Sequence, residues 1–137
     1  MKKLLLSLVA AFTLLVSGCA CSKEGVYKFH SIITVEDGEE KLYDCTKPDT
    51  LEEEVVEVCE IFAGLEVELG KEWATMRYVA DGETEELKKE QYKIEDNKLM
   101  IKNEETGAFD QEMGRIDRNK LYIPFEEGSD TKIIFKK

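Results

Sequence analysis

Histidine and serine, the side chains that most often act as catalytic bases and nucleophiles, are scarce in this sequence. His30 is the single histidine and stands in an alternating apolar pattern typical of a strand. Beyond residue 18 the serines are Ser22, Ser31 and Ser129, and none stands in a Gly-x-Ser-x-Gly elbow. The 30 acidic residues supply so many carboxylate pairs that they indicate no particular hydrolytic site. We therefore predict that the protein is not an enzyme.

Metal-binding spacings are also missing. The four cysteines, at positions 19, 21, 45 and 59, contain no Cys-x-x-Cys pair of the kind that holds zinc. The acidic stretch 81–86 lacks the ligand spacing of an EF-hand calcium loop. We predict neither a metal nor a cofactor.

Positive charge is the minority sign. The sequence has 19 lysines and arginines against 30 acidic residues, so its net charge is −11. Nucleic acids and anionic lipid surfaces both attract basic proteins. The charge balance therefore predicts no nucleic-acid partner and no direct adsorption to anionic lipid.

Long apolar runs are absent except at the start of the chain. Leu4–Val16 follows Lys2 and Lys3 and has the length of a signal-peptide core rather than of a membrane span. The segment Val16-Ser17-Gly18-Cys19 resembles the bacterial lipobox, in which the cysteine is lipidated and becomes the first residue of the mature chain.

The lipobox resemblance implies an exported lipoprotein of the cell envelope, attached to the bacterial cell membrane through lipid on Cys19. Residues 1–18 would be the signal peptide, 19–24 the lipidated tether and 25–137 one domain. An ordinary signal peptide, with Cys19 left near the cleaved end, would also predict export.

Two cysteines fall within the expected domain. An exported location permits disulfides, and a Cys45–Cys59 bridge would close a loop of about fifteen residues. Two buried free thiols are the alternative, because sequence alone does not show whether the two Cβ atoms face each other.

Hydrophobic periodicity predicts strands for most of the domain and one early helix. Val26–Val35, Leu65–Leu69 and Trp73–Ala80 alternate with a period of two, as half-buried strands do. Leu51–Ala63 has helical spacing, with Thr50 and Glu53 placed as a capping box. Glu83–Glu90 is polar enough to be a loop, within which a strand could begin.

One pattern occurs twice in the second half of the chain. Ile94–Ile101 and Ile116–Ile123 share the form Ile-x-x-Asn-Lys-Leu-x-Ile, 22 residues apart. Each copy predicts strand, tight turn and strand, so we expect two similar hairpins in succession. Pro124 suggests a sheet edge or bulge, and residues 131–137 predict a final strand.

The fold class that these elements predict is mainly β. Many short antiparallel strands in a small domain must close or stack, because an open sheet would leave long edges exposed. The order of elements, the repeated hairpins and the terminal strand resemble small bacterial lipocalin-like domains. That resemblance implies an up-and-down meander of about eight strands closing into a barrel, with one early α-helix. Gly25-Val26-Tyr27 stands where the lipocalin Gly-x-Trp signature would be.

A lipocalin-like barrel implies a small, partly apolar ligand held between inward-facing side chains. Candidate lining residues are the aromatic residues and one methionine that lie on predicted strands or beside them. They are Trp73, Tyr78, Tyr92, Phe109, Met113 and Tyr122. The alternative is a barrel with a packed interior, acting as a structural or protein-interaction module of the cell envelope. No protein partner is indicated.

Overall fold

The computed structural model of the protein describes residues 23–126 and 128–137. The predicted signal peptide, the lipidation site Cys19 and most of the tether lie outside the described residues. Among the described residues, no helix is both long and apolar enough to cross a membrane.

Within the described residues the chain forms nine antiparallel strands, one short 3-10 turn and one α-helix. The strands are β1 (Gly25–Glu36), β2 (Glu39–Asp44), β3 (Leu65–Leu69), β4 (Trp73–Ala80), β5 (Glu83–Glu95), β6 (Lys98–Ile101), β7 (Gln111–Asp117), β8 (Lys120–Pro124) and β9 (Lys132–Lys136). The helix α1 (Glu53–Phe62) lies between β2 and β3, after the 3-10 turn at Pro48–Thr50.

The sheet closes into a barrel because the first strand pairs with the last. From β3 to β9 each strand pairs with the next along the chain, and β1 completes the ring between β9 and β3. The fold expected from the sequence, a meander of eight strands closing into a barrel with one early helix, is therefore confirmed. The ninth strand, β2, lies outside the ring.

One edge of β1 serves two partners. Its residues 25–28 pair with β3, whereas residues 31–36 pair with β2. Its other edge pairs with β9 through Lys28–Ile33, with a bulge between Phe29 and Ser31. The chain between β2 and β3, including α1, therefore leaves and rejoins the barrel beside the middle of β1.

The two ends of the barrel differ. Residues 70–72, 96–97 and 118–119 connect strands at one end, which we call the tight-turn end, where residue 23 and Lys137 also lie. The longer connections 45–64, 102–110 and 125–131 lie at the other end, which we call the loop end. Phe62 of α1 contacts Phe125 there, with the ring centroids 5.8 Å apart.

The interior follows from strand alternation. Alternate residues along most strands of the ring point inward, and the most deeply buried side chains come from these strands. They are Tyr27, Val67, Leu69, Leu99, Ile101, Ile116, Leu121 and Phe135. Both predicted hairpin repeats are present, as β5–β6 and β7–β8, and the residues of their turns include Asp96, Asn97 and Arg118 with positive φ.

The expectation of a loop at Glu83–Glu90 was wrong, because this stretch is the first part of β5. Apart from Leu87 its residues are polar, and most of them are exposed, so the pattern contained no apolar alternation. Pairing with β4 holds it in the strand, through a ladder that continues from the Asp81-Gly82 turn with one register shift.

The predicted capping box at the start of the helix was also wrong. The Thr50 hydroxyl donates to the carbonyl oxygen of Lys47 at 2.7 Å, within the 3-10 turn, instead of capping the helix. The helix begins two residues later than expected, after Glu52. Proline at the start of the 3-10 turn sets up that turn first and delays the helix.

Candidate functional site

The described side chains inside the barrel pack closely together. The cavity among Val67, Ala74, Met76, Ile101 and Met113 measures about 10 Å³. A space of this size accommodates about one water molecule. This cavity is therefore too small for a ligand of the kind implied by the lipocalin resemblance.

The wall of the barrel is interrupted between β7 and β8. Their ladder is limited to three residue pairs, from Asp117 with Lys120 to Arg115 with Tyr122. Beyond Arg115, β7 pairs only with β6 and β8 only with β9. The two strands separate there, and a cleft opens in the wall.

Gly114 lies at the point where the two strands separate. A Cβ atom at this position would lie 2.4 Å from the backbone oxygen of Tyr122. Such a distance is far below van der Waals contact, so only glycine fits here without a shift of the backbone. The close approach of β7 to Tyr122 is thus fixed by a single residue.

The cleft between β7 and β8, which we call the wall cleft, has a volume of about 610 Å³. Binding sites for small molecules commonly measure about 300–1,000 Å³. Its lining combines apolar, aromatic and charged side chains. The lining residues are Asn97, Glu112, Met113, Gly114, Arg115, Ile116, Asp117, Tyr122, Pro124 and Lys132.

Two cations lie in this lining. Within residues 23–126 and 128–137, neither Arg115 nor Lys132 forms an ion pair. Tyr122 lies directly across from Arg115 on β8, and Pro124 lies across from Lys132 on β9. An anionic group could bind the two cations while a flat apolar body rests on the Tyr122 ring and on Pro124.

A second, more polar depression of about 940 Å³ continues from the wall cleft toward the loop end. The two share Glu112, Met113 and Pro124. Most of the charged residues that line the second depression are acidic. They are Glu90, Glu104, Glu105, Asp110 and Glu112, with Lys102 as the single lining cation among the described residues.

The structure brings together two of the six residues predicted to bind a ligand. Met113 and Tyr122 both line the wall cleft. Tyr78 is half-buried, opposite Leu65 in the ladder. Tyr92 is buried near the tight-turn end, where its hydroxyl donates to the carbonyl oxygen of Gly70.

The remaining two predicted residues lie beneath lysine side chains. The Lys89 ammonium is 5.3 Å from the centroid of the Trp73 ring, and the Lys93 ammonium is 5.4 Å from that of Phe109. Trp73 is 43% exposed. These two aromatic residues contribute nothing to the wall cleft.

Sequence analysis did not include Gly114, Arg115 and Lys132 among the candidate ligand-binding residues, although these residues give the wall cleft its shape and charge. The nearest sequence signal was Arg115, a lone arginine within a predicted strand. The other strand arginine, Arg77, is bound by Glu66 at 3.1 Å and Glu68 at 3.2 Å. These carboxylates raise the pKa of Arg77 and balance its charge.

The structure also places the two domain cysteines and the single histidine. Cys45 and Cys59 form a disulfide with a Cα–Cα distance of 5.6 Å. The single histidine, His30, lies at the bulge of β1, with its Nδ1 3.2 Å from the Ser31 hydroxyl. Among residues 23–126 and 128–137, no three His, Cys, Asp or Glu side chains are grouped so that they could hold a metal ion.

Tyr92, near the tight-turn end, makes the stability of the barrel depend on pH. Burial raises the pKa of Tyr92 from 10.0 to about 12, and burial also raises the pKa of Tyr27. A folded-state pKa above the unfolded value contributes stability that is complete below pH 10 and is lost as the pH rises through about 12. We expect Tyr92→Phe to lose less stability than the wild type across this window. The measurement is the free energy of unfolding by urea as a function of pH.

The control for this prediction is Tyr78→Phe, which also removes one phenol. At neutral pH Tyr92→Phe should be less stable than the wild type by about 1 kcal/mol, because the Gly70 carbonyl loses its partner. An alkaline stability profile of Tyr92→Phe parallel to that of the wild type would contradict the assignment to Tyr92.

Comparison with known proteins gives two solved structures of low similarity. No model of a protein family matches the chain, and no curated protein sequence is similar to it. A solved lipocalin-like protein from Bacteroides uniformis ATCC 8492 is 14% identical, with 83% of this chain and 96% of that chain covered and a TM-score of 0.44. An uncharacterized protein from Bacteroides eggerthii DSM 20697 is 13% identical, with 83% and 98% covered and a TM-score of 0.44.

Proposed function

We propose that this protein is a non-enzymatic binding protein of the cell envelope, attached to the membrane through lipid on Cys19, and that it holds its ligand in the wall cleft. The observation that carries the proposal is the contrast between the two spaces in the barrel. The cavity among inward-facing side chains measures about 10 Å³, whereas the wall cleft measures about 610 Å³ and is lined by two cations beside an aromatic ring.

The lining indicates the chemistry of the ligand. Arg115 and Lys132 favour a carboxylate or phosphate group, and Tyr122 with Pro124 favours a flat apolar body. Glu112 and Asp117 at the edges suit a cationic or hydroxyl group on the same molecule. A small amphipathic anion is thus the best match, and it is more polar than the apolar ligand expected from the sequence.

Native mass spectrometry tests the ligand proposal. The mature chain, residues 19–137, would be purified gently from the exporting cell and weighed before and after denaturation. We expect an extra mass of a few hundred daltons that is lost on unfolding, in keeping with the volume of the cleft.

Variants of the cleft make that experiment specific. Arg115→Gln and Tyr122→Ala should each weaken retention of the ligand about tenfold or more, because one removes the charge partner and the other the stacking surface. Arg118→Gln, in the adjoining turn, is the matched control, since Arg118 is outside the lining of the cleft. Equal retention by all three variants would contradict the assignment of the ligand to the wall cleft.

A second function, a packed protein-interaction module, is favoured by one observation. At the loop end, apolar side chains are exposed around Phe62, namely Ile61 at 69%, Phe125 at 51% and Val58 at 40%. A bare chain mass in the experiment above, with no shift on exposure to metabolite and lipid extracts, would favour this second function.

The lipid anchor is tested separately. Cys19→Ser is expected to release the protein from the membrane fraction, and the mass of the wild-type N-terminal peptide should carry the added acyl chains. An unmodified N-terminal peptide would contradict the anchor without affecting the assignment of the cleft.

A further inference from the structure

Charge is distributed unequally between the two ends of the barrel. The loop end carries most of the acidic residues that lie in connections or in α1. They include Glu52, Glu53, Glu54, Glu57, Glu60, Asp81, Glu104, Glu105, Asp110, Glu126 and Asp130. At the tight-turn end, where Glu72, Asp96 and Asp117 also lie, exposed lysines of β1, β9 and β8 are grouped side by side.

Three lysines form this group. Lys136 on β9 lies directly across from Lys28 on β1 and also directly across from Lys120 on β8. All three side chains are exposed. We call this set, Lys28, Lys120 and Lys136, the lysine row.

The lysine row is unfavourable for the isolated fold. Residues directly opposite in an antiparallel ladder have Cβ atoms about 5 Å apart, and like charges at that distance destabilise the sheet. Two carboxylates lie across from the row in the ladders. Glu66 lies across from Lys28, but its carboxylate is bound by Arg77 at 3.1 Å, whereas Asp117 lies directly across from Lys120 and offsets part of its charge. Within residues 23–126 and 128–137 none of the three lysines forms an ion pair.

The start of the chain brings the lysine row close to a membrane. Lys23 lies at the tight-turn end, where its carbonyl oxygen accepts a hydrogen bond of 2.6 Å from the Tyr27 hydroxyl. The four residues from Cys19 to Lys23 span at most about 14 Å when fully extended. A lipid on Cys19 would therefore keep this end of the barrel, and not the loop end, against the bilayer.

The acidic loop end is too far away to cancel the attraction. Glu36, at the far end of β1, lies about 26 Å along the strand from Lys28, at about 3.3 Å per residue. Charges farther apart than about 10 Å are largely screened at 0.1 M salt. An anionic surface at the tight-turn end is thus affected by the lysine row much more than by the acidic loops.

We propose that the lysine row is a docking site for an anionic lipid surface, which orients the barrel with its loop end away from the membrane. The proposed orientation of the barrel depends on the proposed lipid anchor at Cys19. The proposed binding to an anionic surface depends only on the lysine row. The position of the tether favours a bilayer over a dissolved anion.

The test uses the unlipidated mature chain, residues 19–137, with Cys19 and Cys21 replaced by serine. Its binding to vesicles of equal parts phosphatidylglycerol and phosphatidylcholine is measured by flotation at about 0.1 M salt. We expect binding to these vesicles, none to pure phosphatidylcholine, and loss of binding at about 0.5 M salt.

Matched triple variants separate the lysine row from net charge. Replacing Lys28, Lys120 and Lys136 together by glutamine should lower the vesicle partition coefficient about 100-fold, at about fivefold per lysine. The control replaces Lys41, Lys47 and Lys102 at the loop end by glutamine, which changes the net charge equally, and it should lower the partition coefficient less than fivefold.

Three results would overturn the proposal. These are absence of wild-type binding to the anionic vesicles, equal losses in the two triple variants, and binding to soluble polyphosphate as tight as binding to vesicles. The last result would assign the row to an anionic polymer. The chain used is unlipidated, so a negative vesicle result does not contradict the proposed lipid anchor. Conversely, finding Cys19 unmodified in the cell would not contradict a positive vesicle result.

Discussion

Replacing Gly114 by alanine is expected to lower the free energy of unfolding by about 3 kcal/mol, at the upper end of the cost of overpacking. The added Cβ would lie 2.4 Å from the backbone oxygen of Tyr122, and a backbone atom cannot rotate away as a side chain can. β7 and β8 would have to move apart exactly where they form the end of the wall cleft. Loss of ligand retention should therefore accompany the loss of stability.

Gly70→Ala is the matched control for this substitution. A Cβ at residue 70 would meet only the backbone oxygen of Trp73, at an ordinary contact distance of 3.6 Å. Its free energy of unfolding by urea should lie within about 1 kcal/mol of the wild type. If Gly114→Ala proved as stable as Gly70→Ala, the close approach of β7 to Tyr122 would be wrong.

Loss of the disulfide between Cys45 and Cys59 is the second change with a large expected effect. The bridge closes a loop of about fifteen residues, for which the chain-entropy model gives about 3 kcal/mol. It joins α1 to the end of β2, beside the point where the Cys45 amide donates to the His30 carbonyl. We expect the variant with both cysteines replaced by alanine to be less stable than the wild type by about this amount.

Reductant provides the internal control for the disulfide. With Cys19 and Cys21 replaced by serine in every protein, dithiothreitol should destabilise the bridged chain and leave the double-alanine variant unchanged. Amide exchange should locate the loss first in residues 53–62, because α1 packs mainly against β1 and has few other supports. Equal sensitivity of both proteins to dithiothreitol would show that the effect does not come from this bridge.

Most of the barrel could be predicted because its turns, and the alternation of apolar and polar residues along its strands, are encoded by residues close together in the sequence. Asp-Gly pairs at 37–38 and 81–82 supply residues that tolerate positive φ, and each joins two strands in the structure. The repeated hairpins likewise combine a tight turn with inward-facing isoleucine and leucine. Leu65–Leu69 and Trp73–Ala80 have the predicted bounds.

Where the local signal was absent, prediction failed for a physical reason. The first half of β5 has no buried face, so its conformation depends on pairing with β4 across the hairpin. The helix start depended on whether Thr50 would cap the helix or close the preceding turn, and its hydroxyl does the latter. Both outcomes are decided by partners that periodicity does not describe.

The candidate sites were harder to predict than the fold because both are made by distant residues. The wall cleft exists because β7 and β8 separate at Gly114. The sequence pattern of neither strand predicts that separation. The lysine row joins Lys28, Lys120 and Lys136, which are far apart in the sequence and meet only when the barrel closes. Net charge does not describe such grouping. It predicts no adsorption to anionic lipid, whereas the register places three lysines side by side.

Pairing of the first strand with the last also governs when the protein can finish folding. β1 can acquire β2 and then β3 early, but its other edge waits for β9, which is about 100 residues away in the chain. Contacts of such long sequence separation form slowly and late. Until then the chain is an open sheet that can still be unravelled. We propose that the chain crosses a membrane before it folds. In that case the barrel cannot close until β9 has also crossed, because β9 pairs with β1.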